Sequence, residues 1–303
     1  MRAIQYTEYG GPEVLRLVEV PKPQPATGEV RIRTGAIGVN PADHKIRAGM
    51  FKDFYEARFP ITPGYDVAGV VDAVGEGVDG LAVGDRVVAL LTPQTAGAYA
   101  EFAVTPQTQV AKIPANLDFA TAAALPTPGV TALQMVDEQV QARAGQTVLV
   151  TGAAGALGRF AVHILKARGA RVVAAVRGGQ TETARATGAD EVIVLGEQDW
   201  SGPPFDHVID AVGGEAVAKL CRHLAPGGRI SLAGAPIDPT GLAAEPAFVI
   251  MRPDKAQLAE LVAIVARGEF DPPIARRLRL EDAAEAQRLM KAGGLGGKIV
   301  LEL

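Results

Sequence analysis

A glycine-rich turn is the segment whose residue types and spacing point most directly to chemistry. It follows the apolar run 147–151, leads into a second apolar segment, and consists of Gly152, Ala153, Ala154, Gly155, Ala156, Leu157 and Gly158. A strand, a glycine turn and a helix in this order form a dinucleotide-binding fingerprint, in which Gly155 admits the pyrophosphate and Gly158 lets helix and strand pack closely. Ala153 replaces the first glycine of the usual pattern, and Gly152 lies one residue earlier. A simple tight strand-to-helix turn is the alternative interpretation.

The residues after this turn indicate which dinucleotide would bind. Sites for NAD usually carry an Asp or Glu about 20 residues further on, where it holds the ribose 2′-hydroxyl. No acidic residue occurs between Arg159 and Thr181, and the apolar run 172–176 ends in Arg177. A guanidinium there could pair with a 2′-phosphate through charge-assisted hydrogen bonds, with Gln180 or Arg185 sharing the phosphate. We therefore expect NADPH, the alternative for Arg177 being an ordinary solvated side chain.

Residue types that bind metal ions are few and lack ligand spacing. The chain has one cysteine, Cys221, so it can form neither an internal disulfide nor a zinc site with several thiolates. The four histidines are scattered, at His44, His163, His207 and His223. We expect no bound zinc, and we interpret the last three histidines as surface or packing residues.

Two patterns of elements must position these residues. Up to about residue 115, Gly and Pro separate short predicted strands, such as 68–74, 85–90 and 98–104. From about 120, strands alternate with helices, as in right-handed βαβ units: strands 147–151, 171–176, 191–195, 207–211 and 229–232, helices 156–167, 181–187, 215–224 and 255–267. The tail is predicted as strand 274–280, helix 281–291 and strand 298–303. This α/β pattern predicts a β-rich catalytic domain of residues 1–117 and 269–303, interrupted by a doubly wound nucleotide-binding domain of residues 118–268.

Composition excludes several classes of function. The chain has 303 residues, 48% of them hydrophobic, which is enough for a sizeable core. The net charge of −4 and 5% aromatic content argue against binding nucleic acid or an anionic membrane surface. Because we find neither an apolar run of bilayer length nor a signal-peptide pattern, we expect a soluble, cytoplasmic protein.

Six further motifs complete a resemblance that covers nearly the whole chain: VNPAD at 39–43, PGYDVAG at 63–69, VGDRV at 83–87, FDHVID at 205–210, PGGR at 226–229 and GKIVL at 297–301. Together with the glycine turn, they resemble the medium-chain dehydrogenase/reductase superfamily, specifically its zinc-free quinone oxidoreductase branch. The resemblance implies a GroES-like catalytic domain formed by both ends of the chain and a Rossmann domain beside which the cofactor binds.

Departures from the zinc-dependent members bear on the chemistry. The zinc alcohol dehydrogenases of this superfamily carry a catalytic Cys where this chain has Asn40, and a His-Glu pair where it has Tyr65 and Asp66. Zinc polarises a carbonyl or alkoxide oxygen as a Lewis acid. A chain without it suits acceptors that need less polarisation, namely quinones or conjugated enones.

The resemblance also assigns candidate site residues. Asn40 would bond the nicotinamide ribose or the acceptor oxygen, its alternative being a loop cap before Pro41, and Asp43 either orients that loop or caps the next helix. Tyr65 is the second catalytic candidate and Tyr55 could also face the site, although a structural role suits either tyrosine. Lys298 matches a motif lysine that we interpret as solvated or structural. The remaining cofactor contacts are Thr131, Val212, Gly234, Ala235, Phe248 and Val249.

Three functions follow from this assignment. We expect an NADPH-dependent quinone oxidoreductase that transfers hydride to a quinone without zinc. The alternatives are an NADPH-dependent enoyl or alkenal double-bond reductase and a non-catalytic NADPH-binding protein. The apolar run 247–251 is predicted at the edge of the Rossmann sheet, and relatives cover that edge by pairing. We therefore also expect a homodimer.

Overall fold

The computed structural model describes residues 1–53, 58–93 and 95–303, and its contacts divide them into two compact units. The first unit contains residues 1–127 and 252–303, and the second contains residues 128–251. The second unit therefore interrupts a unit formed from both ends of the chain.

Strands dominate the first 127 residues. They are β1 (Arg2–Gln5), β2 (Arg16–Glu19), β3 (Glu29–Val39), β4 (Asp66–Val74), β5 (Arg86–Leu90), β6 (Phe102–Pro106) and β7 (Val110–Lys112). They are accompanied by the α-helices α1 (Pro41–Arg47), α2 (Phe119–Ala123) and α3 (Pro126–Leu133), and α3 runs into the second unit.

Strands and helices alternate through the second unit. After α3 and a π-helical turn at Gln134–Val140, the order is β8 (Thr147–Thr151), α4 (Ala156–Ala167), β9 (Arg171–Val176), α5 (Thr181–Arg185), β10 (Glu191–Val194), β11 (Phe205–Asp210), α6 (Glu215–Cys221), β12 (Leu224–Leu232) and β13 (Ala247–Phe248). The chain returns to the first unit with α7 (Lys255–Ala266), β14 (Ile274–Arg279), α8 (Ala283–Ala292) and β15 (Lys298–Glu302).

The central strand of the first unit is β3, the longest in the protein's described part at 11 residues. It lies between β15 and β4 in a sheet ordered β14-β15-β3-β4-β5-β7, with β6 also paired to β3. The antiparallel register sets Gly38 opposite Asp66 and Val39 opposite Ile299. One end of β3 is thereby placed beside the ends of β4 and β15, and this placement brings together Asn40, Asp66 and Lys298.

The second unit is built on a parallel six-stranded sheet. Its order is β10-β9-β8-β11-β12-β13, so the chain reverses its direction of travel across the sheet between β8 and β11. At such a switch point the loops after the two strands diverge and leave a crevice at their carboxyl ends, which is where this fold binds ligands. The helix after β8, α4, buries six of its residues against the sheet: Gly158, Phe160, Ala161, Val162, Ile164 and Leu165.

The two architectures, a GroES-like β-rich unit and a Rossmann unit, confirm the predicted fold class. The predicted strand 147–151, helix 156–167 and strand 171–176 match β8, α4 and β9 residue for residue. Other predicted boundaries differ by a few residues; the predicted helix 215–224, for instance, ends at Cys221 because Leu224 already begins β12. No helix in the described residues combines the length and the apolar character that crossing a membrane requires.

The unit boundaries differ from the predicted domain limits of 118 and 268. Helix α7 belongs to the first unit, where it contacts β7 and where the exposed Asn116 donates to the Ala266 carbonyl at 3.2 Å. A helix that follows a βαβ series continues the same pattern in sequence. The apolar stripe of α7 does not indicate against which unit the helix packs.

Candidate active site and cofactor-binding turn

Asn40 lies at the junction between β3 and α1, where Pro41 occupies the first helical position. The side chain is buried, with 1% of its surface exposed. Its Nδ2 donates to Asp66 Oδ2 at 3.0 Å and to the Gly38 carbonyl at 3.3 Å, and its Oδ1 accepts from the Lys298 ammonium. Both amide protons are therefore used inside the protein, and Oδ1 keeps one lone pair. The ribose hydroxyl, a donor, suits this remaining capacity better than a quinone oxygen does.

Asp66 is the centre of the buried network. Its Oδ2 accepts from Lys298 Nζ at 3.0 Å as well as from Asn40, and its Oδ1 accepts from the backbone N–H and hydroxyl of Thr127 at 3.1 and 2.5 Å. A Cβ at Gly38 would lie 3.0 Å from Asp66 Oδ2 and 2.2 Å from the Ala123 carbonyl, so only glycine admits this packing. Four donors thus satisfy a carboxylate that has no contact with solvent.

Lys298 is buried, with 3% of its surface exposed, so of the two interpretations, solvated or structural, the solvated one is wrong. The strand register places Lys298 here: because Ile299 lies opposite Val39, Lys298 lies beside Asn40. Sequence reasoning identified the motif but not its burial, since a lysine in a glycine-flanked segment is normally solvated. Thr127 was likewise not singled out as a site residue.

Asp43 supports Asn40 from the other side. Its Oδ2 accepts from the Asn40 backbone N–H and from the Tyr99 hydroxyl, each at 2.9 Å, so it caps the first turn of α1. Burial raises the pKa of the Asp43 carboxyl to about 7, with the two hydrogen bonds opposing the shift. Burial and the adjacent Asp43 also raise the pKa of Tyr99 well above its ordinary value. The capping and loop-orienting interpretations are therefore two aspects of the same contact.

The two tyrosine candidates differ in what can be said of them. Tyr65 is half-buried directly before β4, and its carbonyl accepts from the Leu91 N–H at 2.7 Å. Its place next to Asp66 in sequence keeps it a candidate. Tyr55 lies outside the described residues.

The glycine turn of the second unit has the local geometry of an anion site. Gly152 has φ +63°, a left-handed conformation that favours glycine, and Gly155 is the N-cap of α4 without a side-chain capping bond. The N–H groups of Ala156, Leu157 and Gly158 precede the first intrahelical donor, the Arg159 N–H, and point outward. A Cβ at Gly155 would meet only the Gly152 carbonyl, at 3.3 Å, whereas one at Gly158 would lie 2.6 Å from Ala153 Cα. The turn therefore leaves open space at Gly155 and is tightly packed at Gly158.

Several predicted cofactor contacts meet at the carboxyl ends of the strands. A Cβ at Gly152 would lie 3.1 Å from the side chain of Val212, which follows β11, and one at Gly234 would collide with the Val212 backbone at 2.5 Å. The Ala235 N–H donates to the Val212 carbonyl at 3.1 Å. The loops after β8, β11 and β12 therefore form one surface.

The other predicted contacts lie on different elements. Thr131 is buried in α3, and Phe248 and Val249 lie on or next to the edge strand β13. The Val249 N–H donates to the Leu232 carbonyl at 2.8 Å, which ties that strand end to β12. The cofactor roles of these three residues stay predictions.

Charged groups around the turn include two that the sequence did not single out. Arg177 is exposed directly after β9, and within the described part of the chain its guanidinium forms no ion pair. The Glu197 carboxylate follows β10 and would lie 3.1 Å from a Cβ at Gly178, so an acid stands near the position predicted for a 2′-phosphate. Arg159 lies across the turn, where its Nε donates to the Ala154 carbonyl at 3.0 Å.

Comparison with known proteins settles the family. Two family models match, the alcohol dehydrogenase GroES-like domain over residues 26–115 and the zinc-binding dehydrogenase over residues 187–301. Rat quinone oxidoreductase is 32% identical over 328 aligned positions, covering 100% of this chain and 98% of the relative. The chain belongs to the quinone oxidoreductase branch of the medium-chain dehydrogenase/reductase superfamily, a family of oxidoreductases.

Solved structures of this family extend over the whole chain. A structure described as an NAD-dependent alcohol dehydrogenase has a TM-score of 0.91 and 33% identity, with 100% of both chains covered. Mycobacterial Rv1454c, solved in complex with NADPH, has a TM-score of 0.88 and 31% identity, again with 100% of both chains covered. Neighbours of this family are thus described with NAD in one case and with NADPH in another.

One of the two matching family models is described as a zinc-binding dehydrogenase. Whether this chain could hold zinc depends on the side chains available as metal ligands. Within residues 1–53, 58–93 and 95–303, no three His, Cys, Asp or Glu side chains group in a way that could hold a metal ion. At the positions that carry the ligands in the zinc enzymes, an amide and a carboxylate bind the Lys298 ammonium. A fixed ammonium repels a dication, so these residues do not fit zinc.

Proposed function

We propose that this protein is an NADPH-dependent quinone oxidoreductase that works without zinc. The observation that carries the proposal is the buried network of Asn40, Asp66 and Lys298, in which a neutral, hydrogen-bonded arrangement stands at the metal-binding positions of the zinc enzymes. The full-length similarity to quinone oxidoreductases supports the same conclusion.

Quinone chemistry suits a site without a Lewis acid. Accepting hydride turns a quinone into an aromatic hydroquinone anion, so part of the driving force lies in the acceptor and less polarisation is required. The protein then contributes position, exclusion of water and directed hydrogen bonds. Elemental analysis of purified active protein should find no stoichiometric zinc, and chelators should leave the rate unchanged. A zinc-to-chain ratio near one that is lost together with activity would refute the zinc-free proposal.

The second unit carries the residues that would hold the cofactor, which supplies the hydride when bound. The outward N–H groups of Ala156, Leu157 and Gly158 and the positive end of α4 would receive the pyrophosphate. Arg159 adds positive charge on the same side. Arg177 would bind the 2′-phosphate and thereby select NADPH over NADH. Val212, Gly234 and Ala235 would complete the surface along which the dinucleotide lies.

One panel of reactions tests the proposal. NADPH oxidation is measured with a benzoquinone, a naphthoquinone, a 2-alkenal and an enoyl thioester. We expect turnover of the quinones to exceed that of the other acceptors. Turnover of the alkenal or thioester alone would instead identify a double-bond reductase. Tight NADPH binding with no oxidation by any acceptor would identify a binding protein.

We also propose that the protein assembles as a homodimer through the edge of the Rossmann sheet. The edge strand β13 and its continuation present apolar side chains to solvent, with Phe248 49% and Ile250 89% exposed. Exposed apolar edges are normally covered. Light scattering at micromolar concentration should give twice the chain mass, and a value near 31.5 kDa would refute the dimer. The cytoplasmic location expected from the sequence stays a prediction.

A further inference from the structure

Lys298 has a donor that the buried network does not use. Its ammonium carries three N–H groups, of which one donates to Asn40 Oδ1 and one to Asp66 Oδ2. Among the described residues, no acceptor lies within hydrogen-bond distance of the third. The side chain is 4% exposed, so bulk water competes little for that N–H.

The neighbours of Lys298 hold it in one position. Asp66 is anchored by the N–H and hydroxyl of Thr127, and the Asn40 amide is oriented by donating to Asp66 and to the Gly38 carbonyl. Each of the two acceptors that bind the ammonium is therefore itself fixed by other contacts. A donor held in this way needs little reorganisation when charge develops on a reacting oxygen.

Asn40 cannot supply such a donor, because both of its amide protons are already engaged. A quinone that accepts hydride needs a donor, since negative charge develops on its oxygen. Within the network of Asn40, Asp66, Thr127 and Lys298, the third N–H of Lys298 is the one polar hydrogen that the structure leaves for that purpose.

We propose that Lys298 is a catalytic residue that donates this hydrogen bond to the acceptor oxygen, with Asn40 and Asp66 as its positioning residues. The inference rests on the proposed quinone reductase function. Two electrons and a proton leave the cofactor as hydride, the acceptor becomes a hydroquinone monoanion, and the ammonium stabilises its oxygen. Water then supplies the second proton, so Lys298 keeps its own. Because Lys298 and Asp66 together are neutral, the contribution is a directed hydrogen bond rather than a net field.

The test compares Lys298→Met with the double variant Lys298→Met/Asp66→Asn. The single variant leaves the Asp66 charge buried without its cation, which is destabilising. The double variant removes both charges, and we expect it to regain most of the stability toward urea. It should nevertheless keep a kcat for quinone reduction about 10- to 1,000-fold below wild type, the range for losing one positioned donor. Exposed Lys291→Met serves as the matched control and should behave as wild type.

A second readout separates catalysis from structure. The loss of kcat should be larger for a methoxy-substituted benzoquinone, whose oxyanion is more basic, than for tetrachlorobenzoquinone. Wild-type kcat in the double variant would overturn the proposal, as would an equal loss with both quinones. An increased NADPH Kd with unchanged kcat would place Lys298 in cofactor binding and would also overturn it. If no quinone supports NADPH oxidation by the wild-type protein, the proposed function itself fails.

Discussion

The Tyr99 hydroxyl donates a 2.9 Å hydrogen bond to Asp43 Oδ2, and both side chains are buried. The same oxygen accepts from the Asn40 backbone N–H, while Asp43 Oδ1 has no hydrogen-bond partner among the described residues. Burial without full compensation is what raises the pKa of this carboxyl to about 7. The segment that carries Asn40 is therefore anchored on an acid that titrates near neutral pH.

Asp43 makes the stability of the protein depend on pH. An acid whose pKa is higher in the folded than in the unfolded state binds more protons when folded, so its contribution favours folding at low pH. That contribution is lost as the pH rises from about 4 to about 7. Three pKa units correspond to about 4 kcal/mol. We expect the free energy of unfolding of wild type to fall by that order relative to Asp43→Asn over this range, measured by urea titration.

Tyr99→Phe sharpens the pH experiment. Because the tyrosine hydrogen bond lowers the pKa of Asp43, its removal should raise that pKa further and extend the fall in stability above pH 7. Groups common to all three proteins cancel in the comparison. Parallel stability curves for wild type and Asp43→Asn from pH 4 to 8 would contradict a raised Asp43 pKa.

Two glycines of the cofactor turn should respond differently to the same added methyl group. At Gly158 the new Cβ would lie 2.3 Å from the Gly152 carbonyl oxygen, so the backbone must shift. We expect Gly158→Ala to lose about 1–3 kcal/mol of stability together with NADPH binding. At Gly155 the nearest atom is 3.3 Å away, so Gly155→Ala should fold almost normally and still bind NADPH weakly.

The measurements for the glycine pair are urea unfolding and calorimetric titration with NADPH. Each variant is the control for the other, since both add one methyl group to the same turn. Wild-type NADPH affinity in Gly155→Ala would mean that the pyrophosphate does not lie over this residue.

Asn40→Ala should lower kcat/KM for quinones by about 10- to 1,000-fold, the range for losing one positioned polar group. The substitution frees Lys298 on one side and removes a donor from Asp66 on the other. Steady-state kinetics are compared with Asn116→Ala, which changes the exposed second asparagine of the chain. Full activity of Asn40→Ala with every accepted quinone would leave Asn40 no part in the reaction.

How far the sequence predicts this structure depends on whether the signal is local. Helix α4 and strand β9 were predicted to the residue because apolar periodicity and flanking glycines mark both ends. The central strand β3 was not predicted: Val30 to Arg33 alternate as a strand does, but Gly35 and Gly38 interrupt the pattern over the rest of its length.

The candidate site shows the same division. The glycine turn and Asn40 belong to contiguous motifs that a single sequence can reveal. The burial of Lys298 depends on partners 232 and 258 residues away, which only the pairing of β15 with β3 brings close. Glu197 was not predicted for a related reason. The sequence pattern places the acid of an NAD site at the end of β9, whereas this carboxylate reaches Gly178 from the end of β10.

Cofactor preference should therefore depend on two opposing charges, the exposed Arg177 guanidinium and the Glu197 carboxylate near Gly178. A hydrogen bond to a charged group contributes roughly 1.5–3 kcal/mol, which is about 10- to 100-fold in affinity. We expect wild type to prefer NADPH over NADH by about that factor. The preference should weaken at high salt, because the ion pair between Arg177 and the 2′-phosphate would be exposed to solvent. Arg177→Ala should raise the NADPH Kd and leave the NADH Kd nearly unchanged. Glu197→Gln should instead tighten NADPH by removing a repulsive charge, and the exposed Arg222→Ala is the control. Calorimetric titration of both cofactors measures these constants; equal wild-type affinities, or unaltered discrimination in Arg177→Ala, would show that Arg177 does not select the cofactor.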